Sequence, residues 1–145
     1  VFRRRRWFQG RKIRGIEDLA WLRPDGEEMI DDDWDAGFAR AVAVFMNGAT
    51  IPTTDAYGER IVDDSFLVIF NASAEQIDWC IPGPEWSLRW TIDLDTADPK
   101  RGFSRTVIKR PGDRLAVPDR SLVVLRSVKP PSRQPVLHRP TPAMT

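Results

Sequence analysis

Histidine and cysteine are almost missing from this 145-residue chain, which holds one of each, His138 and Cys80. A lone cysteine excludes an intrachain disulfide and fits a reducing, cytoplasmic setting. A lone histidine in a proline-rich tail argues against a Ser-His-Asp arrangement and against a His-rich metal site. No apolar run approaches the roughly 20 residues that a membrane helix requires, so no membrane partner is expected. No secretory leader is visible, because the charged opening is not followed by an apolar stretch. Glycine-rich phosphate loops, CxxC pairs and nucleophile elbows are absent, which removes the usual signatures of cofactor, redox and acyl-transfer sites. There is no internal repeat. The chain opens on Val1 rather than Met, as expected of a processed product or a fragment.

Charge is plentiful but segregated. Residues 1–14 carry seven bases and no acid, whereas residues 15–35 carry nine acids and a single base, Arg23. Residues 97–145 are basic again, with eleven bases against three acids. Opposite blocks lying side by side can neutralise one another on folding or meet different partners.

Hydrophobic patterning points to strands. "AVAVFMN" (41–47) is an apolar run of strand length. "DSFLVIFNA" (64–72) is apolar on both faces, with Phe66, Val68 and Phe70 on one and Leu67 and Ile69 on the other, as in a central strand covered on both sides. "EQIDWCIP" alternates around Ile77, Trp79 and Ile81. "EWSLRWTIDLD" (85–95) places Trp86, Leu88, Trp90, Ile92 and Leu94 on one face. "DRLAVP" (113–118) and "RSLVVLRS" (120–127) supply two more strands. Six or seven short strands with turns between them predict an antiparallel β-sandwich. Residues 10–37 read mainly as loop, with a turn at "RPDGE" (23–27) and one helical turn at "DDDW" (31–34). "VFRRRRWFQ" (1–9) reads as the end of a short helix, its cations suited to a helix C-terminus. Residues 128–145, with their clustered prolines, are expected to be disordered.

The acids invite a catalytic or metal-binding reading, which their spacing does not support. A calcium loop needs oxygen ligands at alternate positions followed by a glycine at the sharp turn; "DLAWLRPDGEEM" does not supply that spacing, and "DDDW" has no glycine at the required place. A glycosidase needs two carboxylates facing each other across a cleft. Clustered acids on one connection read better as a solvated segment answering the arginines beside it. Those four consecutive arginines would point in all directions on a helix, so they make a poor nucleic-acid stripe, and no nucleic-acid partner is expected. Trp79, Trp86 and Trp90 occupy apolar-face positions and read as core. Trp21 and Trp34, inside the acidic segment, are better candidates for contact with a partner surface.

The succession "VFRRRRWFQGR", "DLAWLRPDGEEMIDDDWD", "AVAVFMNG" and "DDSFLVIFNA" resembles the C-terminal end of isoamylase-type glycogen debranching enzymes of the α-amylase superfamily. The resemblance runs roughly from Val1 to Arg126. It implies a division into residues 1–9, a remnant of the last helix of a (β/α)8 barrel; 10–38, an acidic connecting loop; 39–127, a C-terminal sandwich packed on that barrel; and 128–145, a tail. It implies a parent that hydrolyses α-1,6 branch linkages in glycogen or limit dextrin with an Asp, a Glu and a supporting Asp. Those residues lie upstream in the family and none maps onto this chain, so the chain alone is expected to be inactive. No cofactor is implied, and the implied partner is the catalytic barrel.

Arg4, Arg5, Trp7, Asp18, Trp21, Asp25 and Trp34 are the candidate docking residues, with some of the acids expected to pair with the arginines 3–6. Separated from its barrel, the chain is expected to associate or to fray over its first 35 or so residues. Two rival readings are a glucan-binding sandwich and an interaction domain using the basic residues 97–145.

Overall fold

The computed structural model describes residues 12–13, 16–35, 40–51, 54–98, 100 and 108–128. Within them the chain is mainly antiparallel β-structure. A two-residue ladder joins β1 (Lys12–Ile13) to β2 (Ile16–Glu17). The main sheet contains β3 (Leu19–Leu22), β4 (Ala41–Met46), β5 (Phe66–Asn71), β7 (Trp90–Asp95), β8 (Ile108–Lys109) and β10 (Ser121–Ser127). Its strand order is β3-β4-β5-β10-β7-β8, so the last strand in sequence sits in the middle of the sheet. β6 (Ile77–Cys80) and β9 (Arg114–Val117) pair separately as a second layer.

The sandwich core lies between these layers. The main sheet contributes Ala43, Phe45, Leu67, Ile69, Trp90, Ile92, Val123 and Leu125, and the second layer contributes Trp79, Leu115 and Val117. Phe45 meets Trp86 and Trp90 edge-on, with ring centroids 5.0 and 6.2 Å apart. At about 25 cal/mol per Å² of apolar surface removed from water, these aromatic side chains supply a large share of the driving force.

The sequence reading of β5 as a central strand is matched by the sheet order. Leu67 and Ile69 face the second layer, while Phe66 and Val68 face the other way into a separate cluster. The segment 85–95 departs from its simple alternation. Residues 84–86 form a turn, and the Ser87 hydroxyl donates to the Arg89 carbonyl, so the strand starts only at Trp90. Further on, Val124 pairs with Leu94 but Leu125 pairs with Ile92, leaving Asp93 as a bulge. The extra residue reverses the inward–outward order. Leu94, expected inside, is therefore exposed, and Asp95 is completely buried, its carboxylate accepting the amides of Ala97 and Asp98.

The loop reading of residues 10–37 also needs correction. Leu19–Leu22 is a true edge strand, in register with β4 from Leu19–Met46 to Leu22–Ala43. Ala20 and Leu22 are buried in the main core. The acids on either side hide this strand in the sequence, because four residues are too few to outweigh the polarity of their neighbours. The proposed helix 1–9 and the tail 129–145 lie outside the described residues.

After β4 the chain turns through Asn47–Thr50. Asn47 caps this turn by accepting the Ala49 amide, and the Ser65 hydroxyl accepts the Gly48 amide. A side chain at Gly48 would overlap the carbonyl oxygens of Asp63 and Asp64, so this crossing requires glycine.

Candidate functional site: the acidic segment and the outer face of the sheet

The acidic segment is built around its single base. Arg23 follows β3, and the chain folds back from it through Pro24 and Gly26. The Gly26 amide donates to the Arg23 carbonyl and the Arg23 amide to the Glu27 carbonyl. Gly26 has φ +89°, the region that glycine enters without steric cost. The turn is held against the second layer, because the Cys80 amide donates to the Pro24 carbonyl at 2.8 Å.

Arg23 then gathers carboxylates from both ends of the segment. Its Nη2 lies 3.1 Å from Asp25 Oδ2, and its Nη1 lies 3.3 Å from Asp33 Oδ2. The hydrogen bond to Asp25, followed by the charges of Asp25 and Asp33, holds the guanidinium pKa above its usual value. Asp33 belongs to the one-turn helix α1 (Asp31–Trp34) and also accepts the Ile30 amide. One arginine thus ties the turn to the helix. The next residue, Trp34, meets Trp21 of β3 edge-on at 5.5 Å.

The candidate docking residues therefore separate into groups. Trp21 and Trp34 are brought together, and both expose a substantial part of their surface, 37% and 54%. Asp25 lies on the surface, bound to Arg23. Asp18 is buried, and its carbonyl accepts the Asn47 amide. Arg4, Arg5 and Trp7, with the rest of the arginine run, lie outside the described residues. The sequence reading missed Arg23 as the organising cation, although its isolation among nine acids was visible.

The same reading missed the extent of the outer sheet face. Val44, Phe66, Val68 and Val124 form a second apolar cluster, with half-buried Leu19, Met46 and Leu122 packed against it. Pairing places Trp21, Phe70 and Leu94 on this face, all substantially exposed. One end is polar. Arg126 sits beside the bulge, with Nε 2.9 Å from Asp93 Oδ2 and Nη1 3.6 Å from Asp64 Oδ2. The second layer covers only the opposite face.

Among the described residues, no three His, Cys, Asp or Glu side chains form a group that could hold a metal ion, and no helix is long and apolar enough to cross a membrane.

Comparison with known proteins agrees with this architecture. The family model described as "Isoamylase, C-terminal" matches residues 18–126, a span that starts just before β3 and ends within β10. A protein of Mycobacterium bovis and one of Mycobacterium tuberculosis, each named "Glycogen operon protein GlgX homolog", are 49% identical over 129 residues. The alignment covers 87% of this chain and 18% of each relative, so the chain spans less than a fifth of their length. The chain belongs to the isoamylase C-terminal family.

Proposed function

We propose that this chain is the C-terminal β-sandwich of a cytoplasmic glycogen debranching enzyme, a glycoside hydrolase that cleaves α-1,6-glucosidic branch linkages. In this reading the sandwich stabilises and positions a catalytic barrel elsewhere in the parent chain. Glycogen or limit dextrin is the parent's substrate, and the catalytic Asp and Glu residues belong to the barrel. The family match and the relatives named for the glycogen operon support the assignment.

The observation that carries the docking role is the apolar outer face. A sheet covered on one side only normally turns polar side chains to the other. Here the second side has a buried cluster with Trp21, Phe70 and Leu94 around it. A buried apolar centre with large side chains around it is the anatomy of a stable interface. The Trp21–Trp34 pair lies on its β3 edge, and the Arg126 ion pairs fix its polar end and hence its orientation.

The test compares the parent with variants of this face. Trp21→Ala combined with Phe70→Asp is expected to lower the Tm of the full-length parent and to open the domain junction to limited proteolysis. Turnover per folded molecule on a branched dextrin should change about twofold or less, since the chain supplies no reacting group. The 145-residue chain alone should release no linear chains from glycogen. Debranching by the isolated chain, or an unchanged Tm in the double variant, would refute the reading.

A further inference from the structure

A cleft of about 410 Å³ opens at the end of the sandwich where β4 begins and β5 connects to β6. This volume falls within the range of about 300–1,000 Å³ typical of small-ligand sites. Arg23 and Asp33 line one wall, and Ser73, Glu75 and Gln76 line another, with Arg40 between. Apolar patches come from Met29, Ala41 and Ile77.

Both walls are braced by hydrogen bonds, in different ways. Arg23 and Asp33 are joined by their ion pair, and the Asp33 carboxylate also accepts the Ile30 amide. The second wall is fixed by Asn71, whose Nδ2 donates to the carbonyls of Glu75, Val117 and Pro118, while its Oδ1 accepts the Ser73 amide. The Ser73 hydroxyl spans the Asn71 carboxamide and the Glu75 carbonyl. At the base the second wall is tied to the start of β4, where the Ala72 amide donates to the Arg40 carbonyl.

At its mouth the exposed side chains of Arg40, Glu75 and Gln76 make no hydrogen bond or ion pair among the described residues, and each lines the cleft. They offer a guanidinium, a carboxylate and a carboxamide, which are planar groups able to donate or accept in pairs. Two arginines and two carboxylates line the cleft, so its formal charge is zero. That balance suits neither an anion nor a cation. Paired planar polar groups beside apolar patches suit a neutral ligand carrying many hydroxyls on an apolar ring.

From this we infer that the end cleft is a secondary binding site for an α-linked gluco-oligosaccharide, separate from any catalytic centre. Arg40, Glu75 and Gln76 hydrogen-bond its hydroxyls, and Met29 and Ile77 contact its ring faces. The choice of glucan among neutral polyols rests on the debranching reading above. The site's shape and charge balance do not. In the parent, such a site would hold an outer branch of the polymer while the barrel acts elsewhere on it.

The test is a titration of the isotope-labelled 145-residue chain with maltoheptaose, followed by amide chemical shifts. Saturable shifts are expected at Arg40 and Ser73–Ile77. The double variant Arg40→Ala/Gln76→Ala should weaken binding about tenfold or more, equivalent to about 1.4 kcal/mol. Ala74→Trp, which places bulk in the cleft without removing a polar group, should also weaken it. Unchanged shifts in β5 and β10 confirm that the variants fold. Absence of saturable shifts, shifts clustered elsewhere, or equal affinity in both variants would overturn the inference, as would equal affinity for cellohexaose. Debranching by the full-length parent is measured separately. Activity without cleft binding removes this site and leaves the functional assignment standing. Maltoheptaose binding at the cleft without debranching does the reverse.

Discussion

The two faces of the six-stranded sheet use the same strands and bury different amounts of themselves. The inner face is closed by β6 and β9, and its Leu67, Ile69, Val123 and Leu125 are fully buried. The outer face has a smaller cluster around Val68, and its larger members Trp21, Phe70 and Leu94 stay substantially exposed. Composition does not separate them, because both faces are apolar. What differs is that, among the described residues, only the inner face meets a partner layer. In the proposed function, the inner face serves folding and the outer face serves assembly.

The comparison is sharpest where a substitution affects one face only. Ile69→Ala should cost about 2–5 kcal/mol, the range for truncating a buried aliphatic side chain. The loss should appear equally in urea melts of the isolated chain and of the parent. Gly48→Ala should cost about 1–3 kcal/mol by forcing the chain crossing apart, again in both contexts. Leu94→Asp, on the outer face, should change the isolated chain by only about 0.5 kcal/mol, as for other surface changes. In the parent the same substitution should cost about 1–2 kcal/mol, read as a fall in Tm, because a charge would enter an apolar interface. Equal small effects in both contexts would remove the distinction between the faces. The smallest effect belongs to Arg23→Ala. Its exposed ion pairs should yield a minor loss that shrinks as salt is raised from low to physiological concentration, checked by parallel thermal melts.

Much of this architecture was legible in the residues. Alternation and strand-length apolar runs located β4, β5, β6, β9 and β10 to within a few positions. The two-sided character of 64–72 placed β5 inside the sheet, and it also carried the clue to the outer face. What escaped were elements set by long-range pairing. β3 has only four residues, and its apolar pattern is surrounded by acids, so β4 rather than local propensity defines it. β8 has two residues and exists only through its ladder with β7. The acidic segment was recognisable as a family signature, but the role of Arg23 depends on a turn and a helix converging in space. The end cleft was illegible for the same reason, since its walls lie more than thirty residues apart in sequence and carry no motif.

The bulge at Asp93 has a wider meaning. A strand has a reading frame of two, and a single added residue shifts every later side chain to the opposite side. In β7 the shift comes just before the end, so the last position turns a carboxylate inward, where it receives two amides of the departing chain. The frameshift is thus a stop signal written in geometry. Deleting Asp93 would restore the frame, carry Leu94 into the core and Asp95 out of it, and leave the strand without its terminator. The same deletion would take from Arg126 its nearest carboxylate. One inserted residue ends a strand on one side of the sheet and sets an anchor on the other.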